Sequence, residues 1–384
     1  MTTPTRQPLN LLFVNGIREH IFRGGEKWML LTASGLHQRG HTVLISGRPN
    51  SEWIKRCAAA GLPVYPTPLR GDFYPPAWRF FYQLVKAHHI DGVCLSMEKA
   101  VRLCGVAAKM AGVPAIVSRK GLMLMKNELL YRLAYRYIVD RVITNSHQLK
   151  TEMCQFDFLS PEKVSVVHNG VELPPLMSQS EKQQLREKFK LPVNALIIAG
   201  AGRFSPQKGF TDLINAFFRV RQTLPHVHLV LFGDGEEKPQ LVDQTKTLSL
   251  TNEVHFLGHQ QPLPTLIQLA DLFVLSSHYE GMPNVVLEAM SAQVPVLSTN
   301  VNGVPELIEE GVSGVTVEPQ NPAQLAQHII GLLSDESRRK SLAIAGRQRV
   351  EHHFTIRQMI DGMEALFYDI LAEKGKGNSE GIHH

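Results

Sequence analysis

Cysteine is scarce in these 384 residues, and the four present, Cys57, Cys94, Cys104 and Cys154, show neither CxxC spacing nor pairing with nearby histidines. That argues against a structural zinc site or a disulfide framework and leaves reduced, mostly buried thiols. Long hydrophobic runs are missing as well. No apolar stretch approaches the roughly 20 residues that cross a bilayer, and residues 1–10 are polar and contain prolines, unlike a signal peptide. The default compartment is therefore the cytosol. No Asp-x-Asp pair stands ready for a metal–diphosphate, and His20, His37, His41 and His168 show no metal-ligand spacing, so no metal is expected. His352-His353 reads as a helix end.

The chain is nonetheless too long for a single core, and two domains are expected. The net charge of +5 conceals an asymmetry: residues 1–173 carry 22 Lys and Arg against 12 Asp and Glu, whereas residues 174–384 carry 18 against 23. A basic front half suits an acidic acceptor or an anionic membrane surface, with a solvated basic surface as the plain alternative.

Short Val/Ile/Leu-rich runs alternate with segments of helical periodicity, the pattern of βα units around a buried parallel sheet. Strands are expected at 9–15, 42–46, 91–95, 115–118, 141–144 and 164–167. After a linker near 171–182, where Pro174-Pro175 falls and periodicity lapses, the series restarts at 196–201, 227–232, 254–256, 272–275, 296–298 and 315–317. The fold class is α/β, two Rossmann-like parallel-sheet domains with ligands in the cleft facing their strands' C-terminal ends. Residues 1–173 would form the first domain and 174–354 the second. A last segment, about 355–374, carries Ile356, Met359, Ile360, Met363, Leu366, Phe367, Ile370 and Leu371 on one helical face and must pack on something. The polar, Gly-rich tail 375–384 is expected to be disordered.

Two places carry candidate chemistry. Arg203 and Lys208 flank the turn Gly202-Arg203-Phe204-Ser205-Pro206-Gln207-Lys208-Gly209 between a strand and a helix. Both cations, with the helix N-terminus, can point there at one anion. Further on, a strand ends at Ser276-Ser277-His278-Tyr279-Glu280-Gly281-Met282-Pro283-Asn284-Val285, and a helix starting near Pro283 or Asn284 carries Glu288 one turn in. Amides from Asn284 to Leu287 would face a phosphate or a sugar hydroxyl, and the two carboxylates suit hydroxyls that donate to them.

These residues resemble the retaining glycosyltransferases of family 4, which have the GT-B fold. The resemblance is tight over residues 200–315 and loose over the first domain. It rests on the glutamate pair eight positions apart, Glu280 and Glu288, on Arg203 and Lys208, and on Gly233-Asp234-Gly235-Glu236, Phe256-Leu257-Gly258 and Gly303-Val304-Pro305-Glu306. It implies a nucleotide-sugar-dependent hexosyltransferase: Glu280 contacts the donor sugar, Glu288 the ribose, and Arg203 and Lys208 the diphosphate. It further implies that Gly24-Gly25 approaches the phosphates or the acceptor, that 254–258 with Leu257 lies beside the base, and that the last helix crosses back to the first domain. Glu280, Arg203 and Lys208 are the expected catalytic residues; Gly24, Gly25, Gly233, Leu257, Gly281, Met282, Pro283, Asn284, Val285 and Glu288 complete donor binding.

One departure stands out. Many family members carry a histidine near the donor sugar where this chain reads Val117-Ser118-Arg119-Lys120-Gly121, so Arg119 or Lys120 becomes the candidate for an anionic acceptor or the leaving phosphate. The segment 122–139, with Lys126, Arg132 and Arg136 among tyrosines and leucines, is expected to pack on the sheet with a basic outer face, contact with a membrane surface being the other reading. The expected acceptor is an anionic glycan or lipid-linked glycan, as in bacterial lipopolysaccharide or polysaccharide assembly. Uridine diphosphate sugars lead the donors, and work at the inner face of the membrane fits. Rival readings are an epimerase or hydrolase on the same fold, a dehydrogenase, against which no Gly-x-Gly-x-x-Gly turn is found, and a nucleic-acid-binding protein, which the acidic second half disfavours.

Overall fold

In the computed structural model of the protein, residues 7–123 and 125–380 are described. The chain divides into two compact units, one drawn from the chain up to Asn169 and again from Ile356 onward, the other Gly170–Thr355. The first holds seven parallel strands: β1 (Asn10–Asn15), β2 (Thr42–Gly47), β3 (Val64–Pro66), β4 (Gly92–Ser96), β5 (Ala115–Arg119), β6 (Arg141–Thr144) and β7 (Val164–Val166), in the order β3-β2-β1-β4-β5-β6-β7. The second holds β8 (Leu196–Ala201), β9 (Val227–Phe232), β10 (Val254–Gly258), β11 (Leu272–Leu275), β12 (Val296–Thr299) and β13 (Val315–Val317), ordered β10-β9-β8-β11-β12-β13 and likewise all parallel.

Strands buried on both faces need apolar residues at odd and even positions alike, which is why they read as unbroken Val/Ile/Leu runs. In the first unit Leu11, Phe13, Ile45, Cys94, Ala115 and Val117 face one core, and Leu12, Val14, Leu44, Val93, Leu95 and Ile116 the other. The sequence reading lacks β3. It is an edge strand, Val64-Tyr65-Pro66, with a single aliphatic residue and a closing proline, which is tolerated at such an edge but reads in sequence as a break.

The expected linker also needs correction. The helix Gln179–Lys188 starts inside it, because Ser178 Oγ accepts from Glu181 N (3.3 Å) while Glu181 Oε2 accepts from Ser178 N (2.7 Å), a reciprocal cap that needs no apolar periodicity. Cys57, Cys94 and Cys104 are buried and Cys154 is half-buried, all as free thiols.

The last helix, Ile356–Glu380, returns to the first unit and covers the core that contains Leu11 and Phe13 with Met359, Ile360, Met363, Leu366, Phe367 and Ile370. Burial of each such side chain contributes about 1.5–3 kcal/mol. Polar contacts fix its register: Arg39 meets Asp361 and Glu364, each at 2.5 Å. His41 Nδ1 accepts from Leu9 N (3.0 Å), so its Nε2 donates to Glu364 Oε1 (2.8 Å). The helix passes Gly375, where the sequence reading begins a disordered tail, and its ladder continues to Glu380; residues 381–384 lie outside the described part.

Candidate functional site

In the second unit the strand order changes direction between β8 and β11, so the loops leaving these neighbouring strands stand side by side at the sheet's C-terminal edge. One loop carries Lys208 and the other Glu280, 72 positions apart, and Lys208 Nζ lies 2.5 Å from Glu280 Oε1. Ser277 Oγ donates to the same oxygen at 2.6 Å, and Glu280 N donates to Asn302 Oδ1 at 3.4 Å. Glu280 is 6% exposed, so its charge is held by these partners rather than by water.

The two loops are laced together below this pair. His278 N donates to the Gln207 carbonyl (2.8 Å), Gln207 Nε2 to the Tyr279 carbonyl (2.7 Å) and Ser276 Oγ to the Lys208 carbonyl (3.0 Å), while His278 Nε2 meets Asp212 Oδ2 at 2.7 Å. Gly209 makes the approach possible. Its φ is +60°, and a Cβ there would stand 2.1 Å from the Ser276 carbonyl oxygen.

Beyond Glu280, Gly281 accepts at its carbonyl from Gly303 N (3.1 Å), Met282 is buried, and Pro283 caps the helix Asn284–Ser291. Val285 packs partly against the core and Glu288 is buried one turn in. The expected row of amides from Asn284 to Leu287 is shorter than the sequence suggests, since Val286 N already donates to the Pro283 carbonyl at 3.1 Å in a tight first turn. Gly233 N donates to the Gly258 carbonyl (2.8 Å), and a Cβ at Gly233 would overlap the Gly202 carbonyl oxygen at 1.8 Å. Leu257 is the extra residue of a bulge, because Phe256 pairs with Leu231 and Gly258 with Phe232.

Arg203 departs from the expectation that it and Lys208 point at one anion. Its guanidinium pairs with Glu236 Oε2 at 2.9 Å, and both side chains are about half exposed. An exposed pair of this kind is worth about 0–1 kcal/mol, little resistance to re-pairing.

In the first unit Gly24 and Gly25 open the helix Gly24–Gln38 after β1. The pleat sends the two candidate cations at the end of β5 to opposite faces. Arg119 shares the face of Ala115 and Val117, its guanidinium 4.6 Å from the Trp28 ring centroid. Lys120 goes the other way, to an ion pair with Glu98 above the Tyr135 ring. Tyr135 donates to Glu98 Oε1 at 3.0 Å, and burial followed by the nearby Glu98 charge pushes its phenol well above its usual range. Lys120 is thereby committed, which removes it as a free cation for an acceptor.

The segment 122–139 is also corrected in part. Tyr131, Ala134 and Tyr135 pack inward as expected, but the outer face is apolar as well as basic. Leu129 (69%), Leu133 (45%) and Tyr137 (61%) are exposed beside Arg132 and Arg136. Sequence reasoning missed Ser277, Asn302 and the His278–Asp212 pair. Their one signal is position: each lies at or just beyond a strand end or in a helix's first turn.

The model for "Glycosyl transferases group 1" matches residues 181–349, and that for "Glycosyltransferase Family 4" matches residues 22–173. Relatives include N-acetyl-alpha-D-glucosaminyl L-malate synthase of Bacillus anthracis, 28% identical over 239 residues, 62% of this chain and 62% of that protein. UDP-Gal:alpha-D-GlcNAc-diphosphoundecaprenol alpha-1,3-galactosyltransferase of Escherichia coli is 27% identical over 310 residues, 76% of this chain and 79% of that one. The match thus spans less than two thirds of the first relative. The solved structure of Anabaena HepE in complex with UDP covers 94% of this chain and 100% of its own with a TM-score of 0.83 at 23% identity, a likeness of fold. With both units matched by their own family models and the fold shared, the chain belongs to the family 4 glycosyltransferases of GT-B fold.

Proposed function

We propose that the chain is a retaining glycosyltransferase that moves a sugar from a nucleoside diphosphate donor to a hydroxyl of a glycan or lipid-linked acceptor in bacterial polysaccharide or lipopolysaccharide assembly. The observation that carries this reading is the Lys208–Glu280–Ser277 cluster on adjacent loops at the switch point of the second sheet. In the reaction the acceptor oxygen bonds to the anomeric carbon as the bond from that carbon to the phosphate oxygen breaks. The electron pair goes to the β-phosphate and the hydroxyl proton is released. Lys208, with Arg203 once it leaves Glu236, takes up the growing charge, the turn at Asn284 contributes amides, Glu280 orients the sugar and Glu288 holds the ribose. Two protein cations in this role make the reaction metal-independent.

UDP-sugars are the preferred donors: the Escherichia coli relative is named for UDP-Gal and the Anabaena structure holds UDP. The mixed apolar and basic face of Leu129, Leu133, Tyr137, Arg132 and Arg136 suits peripheral contact with an anionic membrane at its cytoplasmic side. Among the described residues no helix is long and apolar enough to cross a membrane.

A thermal-shift screen of UDP, GDP, ADP and their sugar conjugates, with and without EDTA, tests the donor site, since a ligand at 100 times its Kd stabilises by about 2.7 kcal/mol. A shift selective for one base and unchanged by EDTA is expected. A shift abolished by EDTA defeats metal independence, and no shift with any nucleotide defeats the donor reading. Product analysis without acceptor separates transfer from epimerisation or hydrolysis.

A further inference from the structure

The helix Gln179–Lys188 is held to the second unit chiefly by polar contacts. None of its residues is buried, and apolar packing comes from Leu185 and the following Phe189, both partly buried. Arg186 does the docking: its guanidinium donates to the carbonyls of Leu269 (2.7 Å), Val193 (3.0 Å) and Ala195 (3.1 Å) and to Asp271 Oδ2 (2.9 Å). Residues three, four and seven apart share a helix face, so Gln179, Lys182 and Gln183 stand in one row with Arg186. Opposite them lie Gln268 and Asp271, and together these residues line a cleft of about 80 Å³.

Most polar groups of the cleft are already spent on the fold. Gln268, 1% exposed, accepts from Met177 N at 2.7 Å and donates to the Pro175 carbonyl at 3.0 Å. Asp271 Oδ2 takes Ile197 N (2.8 Å) as well as Arg186. Lys182 is different. It is half-buried, yet among the described residues no acceptor lies within hydrogen-bond or ion-pair distance of its ammonium. Burial lowers its pKa, the attraction of Asp271 opposes this from beyond ion-pair distance, and the like charge of Arg186 adds to the lowering. One carboxylate thus faces two cations, and the cleft keeps one positive charge in excess. Gln179 and Gln183 are exposed at its rim, where their amides can turn to a ligand. A cation stripped of part of its water and given no partner is stabilised by an anion that fits beside it.

We propose that this cleft binds a small oxyanion of the phosphate class, with Lys182 as its charge partner and the Gln179 and Gln183 amides as further donors. Its volume holds several waters, hence one tetrahedral oxyanion, and is too small and too polar for a nucleotide or an acyl chain. The site is separate from the Lys208–Glu280 cluster. Asp271 precedes β11 and Glu280 lies past its end, so the two stand at opposite edges of the sheet, parted by a four-residue strand of about 13 Å. Anion binding here does not depend on the proposed transfer of sugar.

Calorimetric titration of the full chain with inorganic phosphate and, separately, with glycerol 1-phosphate distinguishes the free anion from a small phosphomonoester as the ligand. It is done on the wild type, Lys182→Met, Gln179→Glu and Lys208→Met, with melting temperatures of the ligand-free proteins alongside. Lys182→Met should lose tenfold or more in affinity for whichever probe binds, Gln179→Glu should lose severalfold, and Lys208→Met should bind as the wild type does. Neither cleft substitution should lower the ligand-free melting temperature, since Lys182 has no partner to lose and a glutamate at the first position of a helix meets the positive end of its dipole. A wild type that binds neither probe at millimolar concentration overturns the proposal. So does unchanged affinity in both cleft variants, or a loss in Lys182→Met that comes with a lowered melting temperature while Gln179→Glu binds normally, the mark of a lysine needed only for the fold. Loss in Lys208→Met alone sends the anion to the donor loops, which sinks the proposal and leaves the donor reading standing. Loss in Lys182→Met and Lys208→Met alike denies a separate site and overturns it too.

Discussion

Lys208→Met, Glu280→Gln and the double variant form a cycle that asks whether the central pair is a coupled unit. Glu280 is 6% exposed, so removal of Lys208 leaves a buried carboxylate with Ser277 Oγ as its remaining short partner. Breaking a fully buried pair costs about 3–5 kcal/mol. The Lys208 side chain is 20% exposed and the serine bond survives, which places the expected loss nearer 2 kcal/mol, on the order of one charge-assisted hydrogen bond. For a domain of this size that is a fall of about 4–8 °C in melting temperature. The double variant removes both charges together and leaves a neutral amide on Ser277, so its loss should fall short of the sum by about 1–2 kcal/mol. Urea unfolding of the three proteins measures the coupling, and additivity within about 0.5 kcal/mol would refute the pairing as described. Turnover separates structure from chemistry. If the amine meets charge that develops on a leaving phosphate, Lys208→Met loses about 10²–10³ in kcat and the double variant does not recover it; recovery in the double variant would make the lysine a positioning residue only.

Glu364 gives a pH dependence. Partial burial works to raise its pKa, but the hydrogen bonds from His41 and Arg39 prevail and hold it below the usual carboxylate value of 4.5. A carboxyl depressed in the folded state stabilises while ionised, so its contribution is complete above the unfolded value and disappears as the pH falls through the folded one. Melting curves from pH 7 to pH 3.5 should show wild type declining more steeply than Glu364→Gln below about pH 4.5; parallel declines would contradict this. For the exposed face, Leu129→Ser with Leu133→Ser should reduce sedimentation with vesicles of phosphatidylglycerol and leave that with phosphatidylcholine vesicles unchanged and low. Equal binding of variant and wild type to anionic vesicles would remove the membrane reading.

How far the sequence reaches depends on the range of the interaction. Twelve of the thirteen strands are legible because Val, Ile and Leu concentrate in them, most densely in the central strands, which are buried on both faces. β3 is not, since Val64-Tyr65-Pro66 has one aliphatic residue and ends in proline, whereas β7 and β13, equally short edge strands, keep valine at both ends. Lys208 and Glu280 are recognisable each in its own turn, but their 2.5 Å contact follows from β8 lying beside β11, a matter of strand order that no local pattern contains. The case of Arg119 and Lys120 runs the other way. Adjacent cations at the end of a strand read as alternatives for one anion, yet a period of two sends them to opposite faces of the sheet. One face offers Glu98, so Lys120 is neutralised inside the protein. The other offers the Trp28 ring, with the Arg119 guanidinium 4.6 Å from its centroid, and the charge of Glu26, which opposes the cost of burying Arg119, so two adjacent cations end in different environments that their adjacency in sequence does not reveal.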